Sequence, residues 1–489
     1  MKLLLGRVAE IIGAVGNFDP AIMARGFSID SRTIAAGELF FAIRGENFDG
    51  HDFVADALQK GAVAAVIGPG RVALPPQEVL PASSRSAAVP PAIVGESSTA
   101  PFLVVPDPLI ALQSLAAAVR RLWGKPLVAV TGSAGKTTTK EMIARLLGTR
   151  YCVLKSDGNL NNHFGLPLQL LRLGPEHELA VVELGMNHAG EIAALARLAM
   201  PNIGVVTNVA PVHLGFFRSV AGIAAAKREL VDALPPDGVA VLNADDEYVS
   251  QFGLGFSGRP VTFGIEREAD VRAHRLVERG LFGSRFDLVT GPDRVPVELP
   301  LAGRHNIYNA LAAMAVALQF GIAPGLAAAE LACSRPVAQR GEIVAIGGAT
   351  VCNDCYNSNP RALDSMVDAL AVTPLPRSGR RIVVAGEMLE LGPAAEELHR
   401  DCGRHLAEKK IDVILGVRGL AQLIVDGAHA LQTPFASQAE YLETPEMAGE
   451  WLARMARPED LVLVKGSRGV RLERALEIWR ERAAANEDL

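Results

Sequence analysis

Short apolar runs that alternate with longer helical stretches constrain the fold of this chain more than any other feature of its sequence. Each run is apolar over most of its length, with polar residues only at or near its ends, whereas a strand with one solvent-exposed face would alternate apolar and polar residues. Strands of this kind, separated by helices, form parallel sheets that helices cover on both faces. The runs are Leu127–Thr131, Leu179–Leu184, Ile203–Asn208, Val239–Asn243, Thr350–Cys352, Arg381–Ala385, Val413–Gly416 and Leu461–Val464. The sequence therefore predicts an α/β fold.

The length of the chain predicts several domains. At about 150 residues per domain, 489 residues correspond to about three domains. Changes in the pattern of apolar runs and helical stretches place the predicted domains at 1–107, 108–322 and 323–489. The last of these resembles a smaller doubly wound domain. The stretch 69–101 is rich in proline, alanine and serine and has no periodic apolar face. It predicts a long surface loop in or beside the first domain.

Composition excludes several classes of protein. A content of 49% hydrophobic and 21% charged residues is typical of globular proteins. The net charge of −6 argues against nucleic-acid binding, which needs a basic surface. Five scattered cysteines indicate a reducing compartment rather than a disulfide framework. Cys352 and Cys355 form a C-x-x-C without a second pair, so a zinc site is not expected.

The longest uncharged stretch lies between Arg304 and Glu330 and reaches the length of a membrane span. Asn306 and Asn309 interrupt it, so we interpret it as a buried, alanine-rich helix near 306–320. The N-terminal run of three leucines is too short for a signal peptide. We therefore expect a cytoplasmic protein that does not insert into membranes, and we expect a monomer.

The sharpest chemical signal directly follows the first long apolar run and reads Thr131-Gly132-Ser133-Ala134-Gly135-Lys136-Thr137-Thr138. Glycines let backbone N–H groups close around phosphate oxygens, and a helix N-terminus adds positive partial charge. Lys136 can then reach the terminal phosphates, and the Thr137 hydroxyl can bind magnesium. Two residues separate Gly132 from Gly135, whereas a strict Walker A motif has four residues between its first glycine and its Gly-Lys pair. The loop can nevertheless bind phosphate in the way just described. The segment predicts an ATP site rather than a plain strand–turn–helix with a surface lysine.

Three further polar side chains in the same segment are Glu183, His213 and Lys227. Ligands of open α/β sheets bind at the carboxyl ends of the strands, where a carboxylate and a neutral imidazole can hold magnesium together with phosphates. Each residue alone has an ordinary alternative: an acid at a helix N-terminus, a loop histidine and a solvated lysine. Their joint position beside the glycine loop favours the functional interpretation.

Asparagines mark two other segments. Asn161 and Asn162 lie in an asparagine-rich connection, where they either shape a turn or bind a polar substrate. Asn306 opens the predicted alanine-rich helix and is either a helix cap or a ligand contact. Asn309 lies one turn further and can present its amide to a base or a ribose.

Taken in order, several motifs of this chain resemble those of the Mur ligase family, the ATP-dependent amino-acid ligases of peptidoglycan precursor synthesis. The motifs are the glycine loop, Glu183-Leu-Gly-Met, His213, Ala226-Lys227-Arg-Glu and Gly303-Arg-His-Asn-Ile-Tyr-Asn-Ala. The first segment is similar to the uridine-nucleotide domain of members that act on tripeptide substrates, through Ser28-Ile-Asp-Ser31-Arg32 and Gly45–His51. The resemblance covers nearly the whole chain. It implies a small N-terminal α/β substrate domain, a central P-loop-type parallel-sheet ATPase domain and a C-terminal Rossmann-like domain.

A signature in the last segment resembles that of the members that add D-alanyl-D-alanine. It reads Asn353-Asp354-Cys355-Tyr356-Asn357-Ser358-Asn359-Pro360, and Val464–Arg468 matches the same members. Members that add the third peptide residue usually show Tyr-Ala-His-Thr-Pro here, and folylpolyglutamate synthases show Gly-Ala-His-Asn-Pro. Cys355 replaces serine and Ser358 replaces alanine in the signature, which leaves any role of position 355 open.

The resemblance implies that the chain joins UDP-N-acetylmuramoyl-tripeptide to D-alanyl-D-alanine, using ATP and Mg²⁺ and passing through an acyl phosphate. Cations must offset the repulsion between the reacting anions. By resemblance, Thr137 and Glu183 hold one magnesium ion, and His213 and a carbamylated Lys227 hold a second. The implied catalytic residues are Lys136, Lys227, His213 and Glu183.

The resemblance also implies the remaining contacts. Nucleotide binding is assigned to Thr131, Gly132, Ser133, Ala134, Gly135, Lys136, Thr137, Thr138, Asn306, Asn309, Arg340 and Asp354. Substrate binding is assigned to Ser31, Arg32, Asn161, Asn162, Tyr356, Asn357 and Asn359. The ATP site is expected to lie between domains and to be completed by their closure, which excludes water from the acyl phosphate.

Two alternatives stay open at this point. One is another Mur-type ligase that adds a single amino acid, and the other is a P-loop nucleotide-binding regulator. A GTPase would normally carry an Asn-Lys-x-Asp motif for reading its base, and this sequence has none. Whether the third residue of the peptide substrate is meso-diaminopimelate or lysine is also open.

Overall fold

The structure is a computed structural model that describes residues 1–70, 101–211, 215–217, 219–431 and 437–487. Residues 71–100, which are most of the predicted proline-rich loop, lie outside the described residues. His213 also lies outside them.

Strands and helices alternate along most of the described chain. The strands are β1 (Leu3–Leu4), β2 (Met23–Ala24), β3 (Gly26–Ser28), β4 (Glu38–Phe41), β5 (Ala64–Ile67), β6 (Phe102–Val104), β7 (Leu127–Thr131), β8 (Val153–Lys155), β9 (Leu179–Glu183), β10 (Ile203–Val206), β11 (Val239–Asn243), β12 (Arg259–Gly264), β13 (Val271–Glu278), β14 (Ser284–Thr290), β15 (Asp293–Leu299), β16 (Glu342–Ile346), β17 (Ala349–Asp354), β18 (Arg381–Gly386), β19 (Val413–Val417), β20 (Gln438–Leu442) and β21 (Leu461–Lys465). The α-helices are α1 (Leu5–Ile12), α2 (Val54–Gln59), α3 (Pro108–Trp123), α4 (Lys136–Leu147), α5 (Gly165–Leu171), α6 (Glu191–Ala199), α7 (Val220–Asp232), α8 (Arg304–Gln319), α9 (Pro324–Ala332), α10 (Pro360–Val372), α11 (Ala395–Glu408), α12 (Gln422–Ala430), α13 (Pro445–Met455) and α14 (Glu473–Glu487).

The described strands form sheets of two, four, nine and six strands. The four-stranded sheet has the order β3-β4-β5-β6 and is parallel throughout. The nine-stranded sheet has the order β15-β14-β13-β12-β11-β10-β7-β9-β8, and the six-stranded sheet has the order β16-β17-β21-β18-β19-β20. β1 and β2 form the antiparallel two-stranded sheet.

The chain divides into two compact units. Unit 1 comprises Met1–Ala129, Tyr151–Gly185 and Glu191–Asn202. Unit 2 comprises Val130–Arg150, Met186–Gly190 and Ile203–Leu489. The domain boundaries expected after residues 107 and 322 stay predictions.

The six-stranded sheet in unit 2 is covered on both faces, as the doubly wound prediction requires. Successive residues of β18 alternate between two apolar clusters, because side chains of a strand point to opposite faces. Val383 and Ala385 pack in the cluster that contains residues of α10, α11 and α12. Ile382 and Val384 pack in the cluster that contains residues of α13 and α14. An edge strand, β16, pairs antiparallel with β17, while the other pairs are parallel.

One end of the nine-stranded sheet is antiparallel, whereas the sequence predicted parallel strands only. β13 pairs antiparallel with β14, and β14 pairs antiparallel with β15. β14 and β15 are joined by Gly291 and Pro292, and Gly291 has a φ of +54°. A two-residue hairpin loop with glycine in the first central position matches the twist of the strands that it joins. These strands mix charged and apolar residues, so they lack the uninterrupted apolar runs on which the prediction relied.

The expected α/β fold class and most of the expected elements are confirmed. β7 occupies the predicted run Leu127–Thr131 to the residue. The uncharged stretch forms α8, most of whose residues are buried, as expected for an alanine-rich core helix. None of the helices in the described part of the chain combines the length and the apolar character that crossing a bilayer requires.

Candidate functional site

The glycine loop between β7 and α4 lies in unit 2. Gly132 has a φ of +150° and Gly135 a φ of +83°, backbone conformations that side chains other than glycine rarely adopt. Lys136 is the first residue of α4, and its Nζ donates to the carbonyl of Gly132 at 2.9 Å. The expected order of strand, loop and helix is therefore present. It places a lysine and a helix N-terminus where an anion can bind.

Lys227, on α7, is a second lysine near this loop. Only 2% of its surface is exposed. Burial, reinforced by the charge of Lys136, holds the pKa of the Lys227 amine well below its usual range. An amine in this condition loses its proton readily, and its free lone pair is what carbamylation by carbon dioxide requires.

Glu183 ends β9 in unit 1, where the structure holds its side chain in a defined orientation. It is buried, and the amide Nδ2 of Asn161 donates to its Oε1 at 2.8 Å. Its backbone N–H donates to the hydroxyl of Ser156 at 3.2 Å. Because an amide is neutral, the bond from Asn161 orients the carboxylate without neutralising it. Asn161, expected to bind substrate, is thus a partner of Glu183, while Asn162 accepts from the N–H of Gly165 at 2.9 Å at the start of α5.

The described residues contain no group of three or more His, Cys, Asp or Glu side chains arranged to hold a metal ion. Magnesium does not require one, because it is usually bound by one or two carboxylates, water and substrate phosphates. The buried, oriented carboxylate of Glu183 fits such a hard cation. The expected ligand set Thr137, Glu183, His213 and Lys227 stays a prediction of the family resemblance.

Asn306 and Asn309 form a hydrogen-bonded chain that joins α8 to α4. Asn309 accepts from the Thr139 hydroxyl through Oδ1 at 3.2 Å and donates to Asn306 Oδ1 through Nδ2 at 3.0 Å. Asn306 in turn donates to the carbonyl of Ala302 at 2.8 Å. A Cβ on Gly135 would stand 2.3 Å from Asn309 Oδ1, so Asn309 reaches the edge of the glycine loop. Their expected contact with adenine stays a prediction.

Several of the predicted residues of the last segment lie together in unit 2. Asp354 and Lys465 are register partners on β17 and β21, and Lys465 Nζ donates to Asp354 Oδ2 at 2.6 Å. Lys465 also donates to the carbonyl of Asn357 at 3.0 Å. The guanidinium carbon of Arg340 stands 4.0 Å from the centre of the Tyr356 ring, which is a close cation–π contact. Lys465 was not predicted to have a separate role, although it lies at the carboxyl end of a buried strand, where ligands of parallel sheets bind.

Asn359, expected to bind substrate, is the N-cap of α10. Its Oδ1 accepts from the N–H of Ala362 at 2.9 Å, and Pro360 follows at the first helical position. We expect Asn359→Ala to lower the free energy of unfolding by about 1 kcal/mol, measured by chemical denaturation. Asn359→Asp keeps an acceptor and should retain the stability. Lost ligation in a fully stable Asn359→Asp variant would instead favour the substrate contact.

The turn after β3 in unit 1 contains Ser31 and Arg32. Arg32 pairs with Asp30 through Nη2 and Oδ2 at 2.7 Å, and hydrogen bonding from Arg32 lowers the pKa of the Asp30 carboxyl. Ser31 is buried, and its carbonyl accepts from Lys60 Nζ at 3.0 Å. The Ser31 hydroxyl bonds to Asp56 and lowers the pKa of that carboxyl. Arg32 is mostly exposed and can reach an anion in solution.

The loop after β4 carries His51, a histidine whose ring is held by two hydrogen bonds and to which no individual role was assigned above. The N–H of Gly68, just beyond β5, donates to Nε2 of His51 at 2.9 Å. Nδ1 of His51 lies 2.6 Å from Asp49 Oδ1, so Nδ1 carries the proton. The turns after β3, β4 and β5 stand at one edge of a parallel sheet, where ligands of such sheets bind.

The cysteines of the C-x-x-C motif are free and buried. Burial raises the pKa of the Cys355 thiol to about 12, and Cys355 Sγ donates to Asn353 Oδ1 at 2.8 Å. A thiol held in the protonated form is a poor nucleophile and a poor metal ligand. The buried Cys355 thiol therefore lacks the reactivity that a redox-active cysteine pair requires.

Comparisons with known proteins agree with these features along the length of the chain. Residues 24–120 match the family described as "Mur ligase family, catalytic domain". Residues 130–317 match "Mur ligase middle domain", and residues 339–468 match "Mur ligase, glutamate ligase domain".

The relatives include proteins of similar length. A protein of Bacillus subtilis named "UDP-N-acetylmuramoyl-tripeptide--D-alanyl-D-alanine ligase" is 34% identical over 97% of both chains. A crystal structure of MurF from Acinetobacter baumannii is 29% identical, covers 98% of this chain and 99% of its own, and superposes with a TM-score of 0.84. MurF ligase of Thermotoga maritima, solved in complex with ADP, is 26% identical with a TM-score of 0.78, covering 95% of this chain and 99% of its own. The chain belongs to the Mur ligase family.

Proposed function

We propose that the chain is an ATP-dependent ligase that forms a peptide bond between UDP-N-acetylmuramoyl-tripeptide and D-alanyl-D-alanine in peptidoglycan precursor synthesis. ATP is converted to ADP and phosphate, and the carboxylate of the tripeptide is activated as an acyl phosphate. The observation that carries the proposal is the 34% identity over 97% of both chains to a relative named for this reaction. The signature Asn353–Pro360 supports the choice of acceptor, because it resembles the signature of members that add D-alanyl-D-alanine.

The residues around the glycine loop are assigned to the nucleotide. Lys136 and the N-terminus of α4 bind the terminal phosphates, because both offer positive charge at the mouth of the loop. Asn306 and Asn309 are assigned to adenine, and Arg340 and Asp354 to the phosphates and the ribose. Mg²⁺, when bound, supplies charge neutralisation between phosphate and carboxylate oxygens. Thr137, Glu183, His213 and Lys227 are the residues that we propose to hold it.

The two other substrates are assigned to different segments. Ser31 and Arg32, at the ligand-binding edge of the four-stranded parallel sheet, are assigned to the UDP moiety, since Arg32 exposes a cation there. Tyr356 and Asn357 are assigned to the dipeptide. Asn161 contributes by orienting Glu183. Asn359 is also assigned to substrate binding, although its Oδ1 already accepts a hydrogen bond as the N-cap of α10.

We place the reaction in the cytoplasm and expect domains at 1–107, 108–322 and 323–489. The cysteines found in the described chain are all free thiols, which is the state that a reducing compartment maintains. The expectation of a monomer is retained.

An acceptor panel tests the proposal. The purified full-length chain is incubated with ATP, Mg²⁺ and UDP-N-acetylmuramoyl-tripeptide carrying either lysine or meso-diaminopimelate. D-alanyl-D-alanine, D-alanine, L-alanine, D-glutamate and L-lysine are supplied in turn. We expect phosphate release and a product of the summed mass, less one water, only with D-alanyl-D-alanine. Turnover with a single amino acid would favour another Mur-type ligase. Phosphate release at the same rate with and without each acceptor would favour a nucleotide-binding regulator.

A further inference from the structure

Two side chains just beyond β10, those of Thr207 and Asn208, hold the glycine loop at Ala134. Asn208 accepts from the N–H of Ala134 through Oδ1 at 3.0 Å and donates to the carbonyl of Ala134 through Nδ2 at 3.1 Å. The hydroxyl of Thr207 donates to the same carbonyl at 2.6 Å. Both backbone polar groups of Ala134 are thereby bonded to side chains of the two residues that follow β10. All of these residues belong to unit 2.

The neighbouring residue of the loop is bonded in the same direction. The backbone N–H of Ser133 donates to the carbonyl of Asn208 at 2.9 Å. The hydroxyl of Ser133 accepts from the N–H of Ala210 at 2.9 Å. Ser133, assigned to the nucleotide by family resemblance, therefore also fastens the loop.

The residues that hold the loop are themselves anchored. Asn243 donates to the carbonyl of Thr207 at 2.9 Å. The N–H of Val209 donates to Oδ2 of Asp246 at 2.9 Å, and Asp246 is buried. Thr207 and Val209 are thus themselves held by buried residues of unit 2.

The packing of Gly132 shows how closely the loop approaches Thr207. A Cβ on Gly132 would stand 1.9 Å from the Thr207 hydroxyl oxygen. The loop therefore reaches hydrogen-bonding distance of Thr207 only because this position is glycine. Glycine is also the residue that loses most conformational entropy when it is fixed, so a loop with two glycines is costly to order.

From these contacts we propose that Thr207 and Asn208 are positioning residues that hold the peptide groups of Ala134 so that the nucleotide meets a preformed phosphate loop. The proposal rests on the ATP dependence proposed above. The ordering cost is then met during folding, and binding affinity is not reduced by it. Because its N–H is committed to Asn208, Ala134 fixes the direction of the neighbouring N–H groups and does not itself donate to phosphate.

The test compares variants that differ by one hydroxyl. Thr207→Val keeps the shape of the side chain and removes the donor to Ala134, whereas Thr207→Ser keeps the donor. Thr149→Val is a matched control, because the Thr149 hydroxyl also donates to a backbone carbonyl, that of Leu146 at 2.7 Å, at the far end of α4. Affinities for ADP with Mg²⁺ and for the UDP-tripeptide are measured calorimetrically in the full-length chain, and KM for ATP and kcat are measured alongside thermal unfolding.

We expect Thr207→Val to weaken ADP binding and raise KM for ATP by about tenfold, the size of one lost hydrogen bond. Thr207→Ser should restore most of the affinity, and Thr149→Val should leave it unchanged. Asn208→Ala, which removes two bonds, should exceed Thr207→Val in effect. Affinity for the UDP-tripeptide should not move in any of these variants.

Several results would overturn the proposal. They are unchanged ADP affinity in folded Thr207→Val, equal losses in Thr207→Ser and Thr207→Val, and a parallel loss of UDP-tripeptide binding that indicates general destabilisation. Failure of the unmodified chain to bind ADP is a different outcome, because it contradicts the proposed function itself.

Discussion

Replacing Lys136 by alanine is expected to reduce the rate of ligation by about 10³-fold or more while leaving the fold intact. Lys136 opens α4, and its Nζ lies within 2.9 Å of the Gly132 carbonyl at the mouth of the loop. In the proposed reaction negative charge accumulates on the transferring phosphoryl group, and a fixed cation there stabilises the transition state more than the ground state. Removing the cation therefore affects the chemical step as well as nucleotide binding.

Ligation rates, calorimetric binding of ADP and thermal unfolding together check this prediction. ADP affinity should fall, whereas UDP-tripeptide binding should persist, because the latter is assigned to Ser31 and Arg32. Lys409→Ala is a suitable control, since Lys409 pairs with Asp368 on the surface of the last segment. Near-normal turnover in a folded Lys136→Ala variant would remove the glycine loop from the reaction.

The fold was predictable wherever a local pattern determined the structure. β7 is buried along its whole length and is apolar up to Thr131, so its position followed from the apolar run alone. α8 was predicted from an alanine-rich run whose asparagines argued against a membrane span, and Asn306 and Asn309 are indeed buried in hydrogen bonds. By contrast, β13 and β14 pair antiparallel, and both strands mix charged and apolar residues. Such strands have no uninterrupted apolar run by which they could be recognised in the sequence.

The roles of single polar side chains were less predictable, because they depend on distant partners. Asn161 was expected to contact substrate, and nothing in its own segment indicates that its amide points to Glu183, which lies 22 positions later. Thr207 and Asn208 directly follow an apolar strand, and Glu183 is the last residue of one, so the rule for strand ends could have singled out Thr207 and Asn208 as well. It could not have shown that they bind the peptide of Ala134, more than 70 positions earlier in the chain.

The second large effect is expected at Lys227, where stability and activity should move in opposite directions. A buried amine next to Lys136 destabilises its own charged form, and this is why its pKa lies well below the ordinary value of 10.5. In the unfolded chain the same amine is protonated at neutral pH. Folding in a buffer free of carbon dioxide therefore requires the release of this proton or the burial of its charge, and either lowers the stability of the native state.

The sign of the pH dependence follows from proton counting. Between the lowered pKa of the folded state and the ordinary pKa of the unfolded state, the unfolded chain binds one proton more at this site. The free energy of unfolding then rises with pH, by up to about 1.4 kcal/mol per pH unit. Lys227→Met removes this site, so it should be at least as stable as the unmodified chain at neutral pH. The advantage of the variant should shrink as the pH approaches 10.5.

Lys227→Met is nevertheless expected to lose about 10³-fold or more in ligation, because the proposed carbamate at this position is an anionic ligand that methionine cannot replace. Lys227→Ala leaves space in which added acetate or formate should restore part of the activity. Denaturant unfolding at several pH values and ligation rates provide the measurements. Lys140→Met is the matched control for stability, since Lys140 is also buried but is paired with Glu141 at 3.2 Å, and its removal should destabilise the chain. A Lys227→Met variant that ligates normally would contradict the proposed role of Lys227 in the reaction. A variant that unfolds more easily than the unmodified chain in carbon-dioxide-free buffer would contradict the destabilising effect of its buried amine.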